Sequence, residues 1–318
     1  MELSLYSILS LGAIAVGLIV AYSRRLPATA TLLITNIVVF ILTEMSPTIA
    51  RPLGAPTDFF EPVSAVHGEL ALYTPNLLSN LPWSYVQVFS SMFVHGDLLH
   101  LLGNSLFLAF FGFPFEQRIG GQRFVAIYIL TGICAVVAEL AILGDDPALM
   151  MGASGAIFGI LGAFAARFPR QIVPVPIPLP IMFIVRMPIY LGAAMFLAFQ
   201  LFYAYYTFEF GSDGVAYFAH IGGLLGGIAL APLLVPRNER SSRERVDLTK
   251  FAPFARNEQA KRILEAMQKN HDEPAVFQAW LDRFLKVAEC PACGKNVKPA
   301  AQGHVVCADG HHFDLRMA

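Results

Sequence analysis

The sequence predicts an all-α polytopic membrane protein, and three observations carry that prediction. Of its 318 residues, 56% are hydrophobic and 14% are charged, against about 45–50% and about 25% in a soluble globule. Mean hydropathy is +0.58. The apolar residues gather in seven runs, and Lys and Arg favour alternate breaks between them. The net charge of −1 gives no global pull toward nucleic acid. From Arg237 onward the chain turns polar and charged, which marks a boundary near 236–250.

The runs are 4–22, 28–45, 91–113, 123–143, 154–168, 188–206 and 217–235. Several fall short of the ~20 residues that a full crossing needs. Short spans suit a protein that thins the bilayer or keeps helix ends inside protein. The stretch 171–187 is apolar too, but Pro174, Pro176, Pro178 and Pro180 alternate along it. No helix interior tolerates that, so an extended or hairpin-like connection is expected. The next helix then starts near Pro188, a residue suited to a first turn.

Basic residues near span ends mark the cytoplasmic face. One set of breaks holds Arg24, Arg25, Arg118, Arg123, Arg167, Arg170, Arg186, Arg237 and Arg240. The other holds Arg51 against Asp58, Glu61, Glu69, Asp145, Asp146, Glu209 and Asp213. The N-terminus is therefore expected outside and the C-terminal tail in the cytoplasm. The rival reading of residues 1–23 is a cleaved signal peptide. They lack a basic n-region, Glu2 is the only early charge, and Arg24-Arg25 follow the apolar run, which favours a retained anchor.

This topology places His95, Asp97, His100 and Asn104 in the outer half of helix 91–113. Ser154 and His220 lie near the outer ends of their helices. All of these groups fall within roughly 5–20 Å of the outer face at the ~1.5 Å rise of a helix. His100 and Asn104 are four apart and share a face, while His95 points elsewhere. Intramembrane ionisable groups tend to face a bundle interior or a wet cavity. Ser154 opens a helix whose first amides are unpaired, and such donors suit an oxyanion. A histidine can take the serine proton and return it to a leaving amine. Helix 217–235 carries no Asp or Glu at this depth, so a Ser–His dyad is expected. The orienting role then falls to packing, with Phe158 one turn below Ser154.

Each motif alone also reads as packing. Gly152-Ala153-Ser154-Gly155, with Gly159 and Gly162, forms a small-residue face, and Gly222, Gly223, Gly226 and Gly227 form two GxxxG pairs. A lone membrane histidine is often a hydrogen-bonded structural group. The combination is more specific than its parts. Packing of the two glycine faces would bring the His220 helix against the Ser154 helix.

Residues 28–236 resemble the rhomboid intramembrane serine proteases. The resemblance rests on His95-Gly-Asp-Leu-Leu-His100-Leu-Leu-Gly-Asn104, on Gly152-Ala-Ser154-Gly, and on Ala219-His220 followed by GxxxG, in that order and spacing. It implies a six-helix core with one extra N-terminal helix, a 1+6 arrangement. It implies Ser154 as nucleophile, His220 as base, and His100 and Asn104 as oxyanion side chains beside the Ser154 amide. Glu116 resembles a structural glutamate of the family. Phe158 stands where the family often has a tyrosine stacked on the histidine. Trp83 is followed by Ser84, where the family often has Trp-Arg, and the loop 46–90 is long and proline-rich. The implied reaction is cleavage of a peptide bond in or beside a transmembrane segment of another protein, with no catalytic cofactor. Access would run past helix 188–206 and the loop 207–216, with Gly211 and Gly214 as its flexible points.

In the tail, Cys290-Pro-Ala-Cys293-Gly is followed by Cys307 and His311. That spacing reads as a Cys3His zinc ribbon with a closed, structural Zn2+ site. His304 and His312 are further candidates, and His312 could replace His311. A Cys290–Cys293 disulfide is the rival, but thiols in the cytosol stay reduced. Cys134 lies among apolar residues and reads as packing. The unit is too small to bury a core of its own, so the metal would hold it together. Stretches 254–270 and 273–288 read as amphipathic helices through Phe254, Ile263, Leu264 and Met267, then Val276, Phe277, Trp280, Leu281 and Phe284. They would fold onto the ribbon or meet a cytosolic protein partner. The absence of a basic stripe argues against nucleic acid.

The expected layout is an extra helix over 1–27, a protease core over 28–236, a linker over 237–253, helices over 254–288 and a ribbon over 289–318. The expected function is an intramembrane serine endopeptidase in the cell membrane, with transmembrane proteins as substrates and its site near the outer face. The alternative is a catalytically silent rhomboid-like protein that binds membrane clients. A transporter is a third reading, and the one-sided clustering of Ser and His argues against it.

Overall fold

Apolar helices dominate the first of two units, residues 1–237, and the second spans 238–318. The computed structural model describes residues 3–23, 26–50, 52, 62–79, 81–144, 148–177, 183–210, 215–235, 248–269, 274–299 and 304–314. In the first unit, α1 (Leu5–Tyr22) and α2 (Ala28–Met45) lead into a region with α3 (Ala65–Leu70), α4 (Thr74–Leu78) and α5 (Pro82–Ser90). Then come α6 (Leu98–Phe107), α7 (Phe113–Ile119), α8 (Gly121–Leu143), α9 (Ser154–Arg167), α10 (Ile189–Phe210) and α11 (Tyr217–Leu234). Among the described residues, six helical stretches are long and apolar enough to cross a membrane, with α6 and α7 counting as one rod, Leu98–Ile119. Large apolar side chains such as Ile8, Ile19, Ile34, Ile41, Phe202 and Phe208 are exposed on these helices. Such all-round apolarity suits lipid contact, and the unit is that of a multi-pass membrane protein.

The helix expected at 91–113 is displaced. Ser91–Phe93 form a 3-10 turn, and the helix proper begins at Leu98. Asp97 caps it, with an extended backbone and a side-chain oxygen that accepts from the His100 amide at 2.8 Å. At the other end a π turn, Leu108–Gly112, carries the rod into α7. Pro114 in the first turn of α7 has no N–H to donate, and the wider turn just before it accommodates the loss.

The proline-rich connection is a hairpin. After the two-residue pairs β1 (Thr48–Ile49) with β2 (Val63–Ser64) and β3 (Leu72–Tyr73) with β4 (Leu149–Met150), strand β5 (Ile172–Ile177) pairs antiparallel with β6 (Phe183–Pro188). Amides two residues apart point the same way, so Pro174 and Pro176 strip donors from one edge only. Pro178 and Pro180 lie outside the described residues. Helix α10 continues through Thr207–Phe210, which shortens the loop expected at 207–216, and Gly211 and Gly214 also lie outside the described residues.

The core of the unit is a backbone-close trio of α8, α9 and α11. Every residue of α9 from Gly155 to Phe164 is buried except Phe158. A Cβ on Gly223 would collide with the Gly155 carbonyl, and one on Gly227 with the Gly159 carbonyl. Lipid is as apolar as the side chains, so such contacts, rather than exclusion of water, hold membrane helices together. At 14 residues, or about 21 Å, α9 is too short to cross alone. The trio surrounds it with protein, in keeping with the expectation of a short span.

Helix α1 lays Ser7, Ser10, Ile14, Gly17 and Ala21 inward at helical spacing. Gly17 leaves room for the Thr35 side chain of α2. The Ser4 amide and hydroxyl both donate to Glu69 Oε2 at 3.0 Å, which ties α1 to α3.

The second unit contains α12 (Glu258–Lys269), α13 (Pro274–Val287) and a sheet in the order β7 (Val297–Pro299), β8 (His304–Cys307), β9 (His312–Asp314). Phe254 lies in a 3-10 turn rather than in a helix, and Asn257 Oδ1 caps α12 by accepting from the Ala260 amide at 2.7 Å. Ile263, Met267, Phe277 and Phe284 share one core with Val297, Val305, Cys290 and Cys307. The helices therefore pack on the ribbon. Leu248 and Phe251, from the segment expected as linker, are also in that core.

Candidate active site and candidate metal centre

Ser154 is the first residue of α9, reached through a turn that Gly152 makes possible. Gly152 has φ +114, a region that L side chains rarely adopt. A Cβ there would also come within 2.6 Å of His100 Nε2 and 3.5 Å of Asn104 Nδ2. The Gly152 amide donates to the Ser91 carbonyl at 2.9 Å. The two side chains of α6 thus converge on Gly152, two residues before Ser154. Asn104 is buried, and among the described residues its Nδ2 has no hydrogen-bond partner.

His220 lies in the first turn of α11, and its Nε2 is 2.8 Å from Ser154 Oγ. Phe158 stacks on the imidazole, with ring centroids 4.6 Å apart and planes 10° apart. Tyr217 meets the ring edge-on at 6.3 Å. Two groups escaped the sequence reading. Gln200 Oε1 of α10 lies 2.8 Å from His220 Nδ1. Glu139 of α8, 4% exposed, accepts from the Ala219 amide at 2.6 Å and so caps the helix that carries His220. Run 217–235 has no acid of its own, but the neighbouring helix α8 supplies one. The signal was present: Glu139 is the lone acid of run 123–143, and Gln200 the lone amide of run 188–206. Isolated polar groups in apolar runs merit a functional reading.

The remaining motif residues fall into supporting places. His95 is not on a helix; it is fully buried before α6, with its ring 5.3 Å from that of His100, so it does not point away. His67 Nε2 donates to the His95 carbonyl at 2.8 Å. Glu116 accepts from the amides of Ala28 at 2.5 Å and Thr29 at 2.8 Å, capping α2 from across the fold. Trp83 donates through Nε1 to the Glu69 carbonyl at 2.8 Å, and Ser84 is buried. A cavity of about 40 Å3 adjoins Ser154, lined by Met92, Gly132, Val136, Met150 and Ala219 among others.

In the second unit, Cys290, Cys293, Cys307 and His311 bring their ligand atoms within 4.8 Å of one another. The Cys293 and Cys307 sulfurs are 3.5 Å apart, and His311 Nδ1 is 3.3 Å from Cys307 Sγ and 3.8 Å from Cys290 Sγ. A tetrahedral zinc site with Zn–S of about 2.3 Å has edges near ~3.8 Å, so the donor set fits. His311, rather than His312 or His304, joins the sulfurs. Tight turns hold both pairs: the Gly294 amide donates to the Cys290 carbonyl at 2.9 Å, and the Gly310 amide to the Cys307 carbonyl at 3.0 Å. The group can hold a metal ion.

Residues 82–237 match the family model described as Rhomboid domain. Rhomboid-like protease 3 of Toxoplasma gondii is 31% identical over 160 residues, 50% of this chain and 54% of that protein. RHOMBOID-like protein 7 of Arabidopsis thaliana is 29% identical over 150 residues, 47% of this chain and 42% of its own length. RHOMBOID-like protein 6, mitochondrial, also from Arabidopsis thaliana, is 24% identical over 248 residues, covering 77% and 73%. The chain thus spans about half the length of the first two relatives. The membrane unit therefore carries a rhomboid domain over residues 82–237.

Proposed function

We propose that the chain is an intramembrane serine endopeptidase that cleaves peptide bonds in or next to transmembrane segments of other proteins. The observation that carries this reading is the 2.8 Å contact of Ser154 Oγ with His220 Nε2, beside a buried Asn104 Nδ2 with no partner among the described residues. His220 takes the hydroxyl proton as Ser154 Oγ attacks the scissile carbonyl. The developing oxyanion meets Asn104, His100 and the amide of Ser154 at the start of α9. The imidazolium then protonates the leaving amine, and water hydrolyses the acyl-enzyme by the reverse sequence. The route draws on no cofactor. The cavity of about 40 Å3 beside Ser154 suits a small side chain next to the cut.

In this reading residues 1–27 are a retained anchor, 28–236 form the protease core, the N-terminus is outside the cell membrane, and the tail is cytoplasmic. Arginine placement supports the orientation. The tail holds a structural Zn2+ through Cys290, Cys293, Cys307 and His311, which crosslinks the ribbon. A silent client binder would have no use for a hydrogen-bonded serine and histidine beside an amide donor left open among the described residues.

The test is cleavage of a model transmembrane substrate by the reconstituted protein. One cut in or beside the substrate's span, lost in Ser154→Ala, is expected. Cutting that persists in Ser154→Ala would overturn the reading.

A further inference from the structure

The His220 ring has two nitrogens, and the proposed chemistry employs one. Nδ1, on the far side, is 2.8 Å from Gln200 Oε1. A neutral imidazole carries a single proton. If Nε2 is to accept the Ser154 hydroxyl, that proton must be on Nδ1, and the amide oxygen of Gln200 is the group that receives it.

We propose that Gln200 is a positioning residue for the serine–histidine pair, whose amide oxygen selects the His220 tautomer and steadies the imidazolium. The inference rests on the protease reading above. When His220 takes the serine proton, its bond to Gln200 becomes charge-assisted and stronger. The gain arises on the way to the transition state rather than in the resting enzyme, which is where an interaction accelerates a reaction. A carboxylate would serve the same atom, but an ionised acid is costly among apolar helices. A neutral amide avoids that cost. Phe158 fixes the plane of the ring but offers Nδ1 no acceptor. Of the titratable groups around the ring, His100 comes from α6, Tyr217 from α11 itself, and Glu139 from α8 through the Ala219 amide. Tyr203 of α10 stacks on Tyr217. Gln200 is the hydrogen-bond partner at Nδ1.

The test is the rate of fluorophosphonate labelling of the full chain in lipid bilayers, followed against pH and probe concentration. Gln200→Leu and Gln200→Met remove the acceptor at similar volume, and Gln200→Glu keeps one. The two apolar variants should label about 10- to 100-fold more slowly at saturating probe, with half-saturation unchanged. Their acid limb should move to lower pH, because the protonated ring has lost its support. Gln200→Glu should label faster than either. Had Gln200 only a packing role, leucine or methionine would be the milder change, so labelling at the wild-type rate with an unmoved acid limb overturns the proposal. So does an order in which Gln200→Glu is the slowest. A wild type that does not label at all overturns the protease reading itself, and the proposal with it.

Discussion

The ribbon cluster and the serine–histidine pair are built in opposite ways. Cys290, Cys293, Cys307 and His311 come from one short stretch, and their donors face one another. Ser154, His220, Gln200, Glu139 and Asn104 come from five helices, and at least one donor, Asn104 Nδ2, has no hydrogen-bond partner among the described residues. A closed set of ligands suits a structural ion, whereas an open donor suits a charge that forms during reaction. The forces differ too. The ribbon would depend on a metal, while the membrane site depends on helices whose glycines let backbones touch.

Metal removal separates the two most sharply. The wild type should carry one zinc ion per chain, and Cys290→Ser or a chelator should remove it. Structural zinc contributes on the order of 10 kcal/mol in small ribbons, so amide protection in the ribbon should collapse while labelling at Ser154 persists. A tail that binds no zinc would break the comparison.

Glycine substitution is the matching test on the membrane side. Gly223→Leu drives a side chain into the Gly155 carbonyl, at a cost of about 3 kcal/mol or more. The shift should slow labelling by roughly 100-fold. Gly103 has nothing within 4 Å of an added Cβ, so Gly103→Ala should be neutral or stabilise α6 by about 1 kcal/mol. Thermal unfolding of both variants in detergent reads the contrast.

Asn104→Ala should leave the fold intact and lower the cleavage rate about 100- to 1000-fold with little change in KM, as expected for a donor used only in the transition state. Glu139→Leu is expected to have a smaller effect than Gly223→Leu or Asn104→Ala. It removes the cap on the Ala219 amide, which should cost about 1–2 kcal/mol of stability, and Glu139→Gln should restore most of it. An unchanged melting temperature in Glu139→Leu would show that the cap is idle.

The same contrast explains what could be read from the chain alone. Metal-ligand spacing is local, so it transfers directly from sequence to the Cys290–His311 cluster. The apolar runs likewise announced the membrane helices, and alternate prolines announced the β5–β6 hairpin. The start of α6 differs from the expected one because Met92, Phe93 and Val94 extend the apolar run upstream, whereas a single cap at Asp97 sets where the helix begins. Ser154 and His220 were legible through their glycine-rich settings. Gln200 and Glu139 were not, because their partners lie 20 and 80 residues away and depend on how α8, α10 and α11 stack.

The central claim is that Ser154 is a nucleophile activated by His220, and a fluorophosphonate probe tests it most directly on the purified, lipid-reconstituted protein. Covalent labelling of the wild type is expected, mapped by mass spectrometry to Ser154 and absent from Ser154→Ala and His220→Ala. A wild type that remains unlabelled, or a Ser154→Ala variant labelled like the wild type, would contradict it.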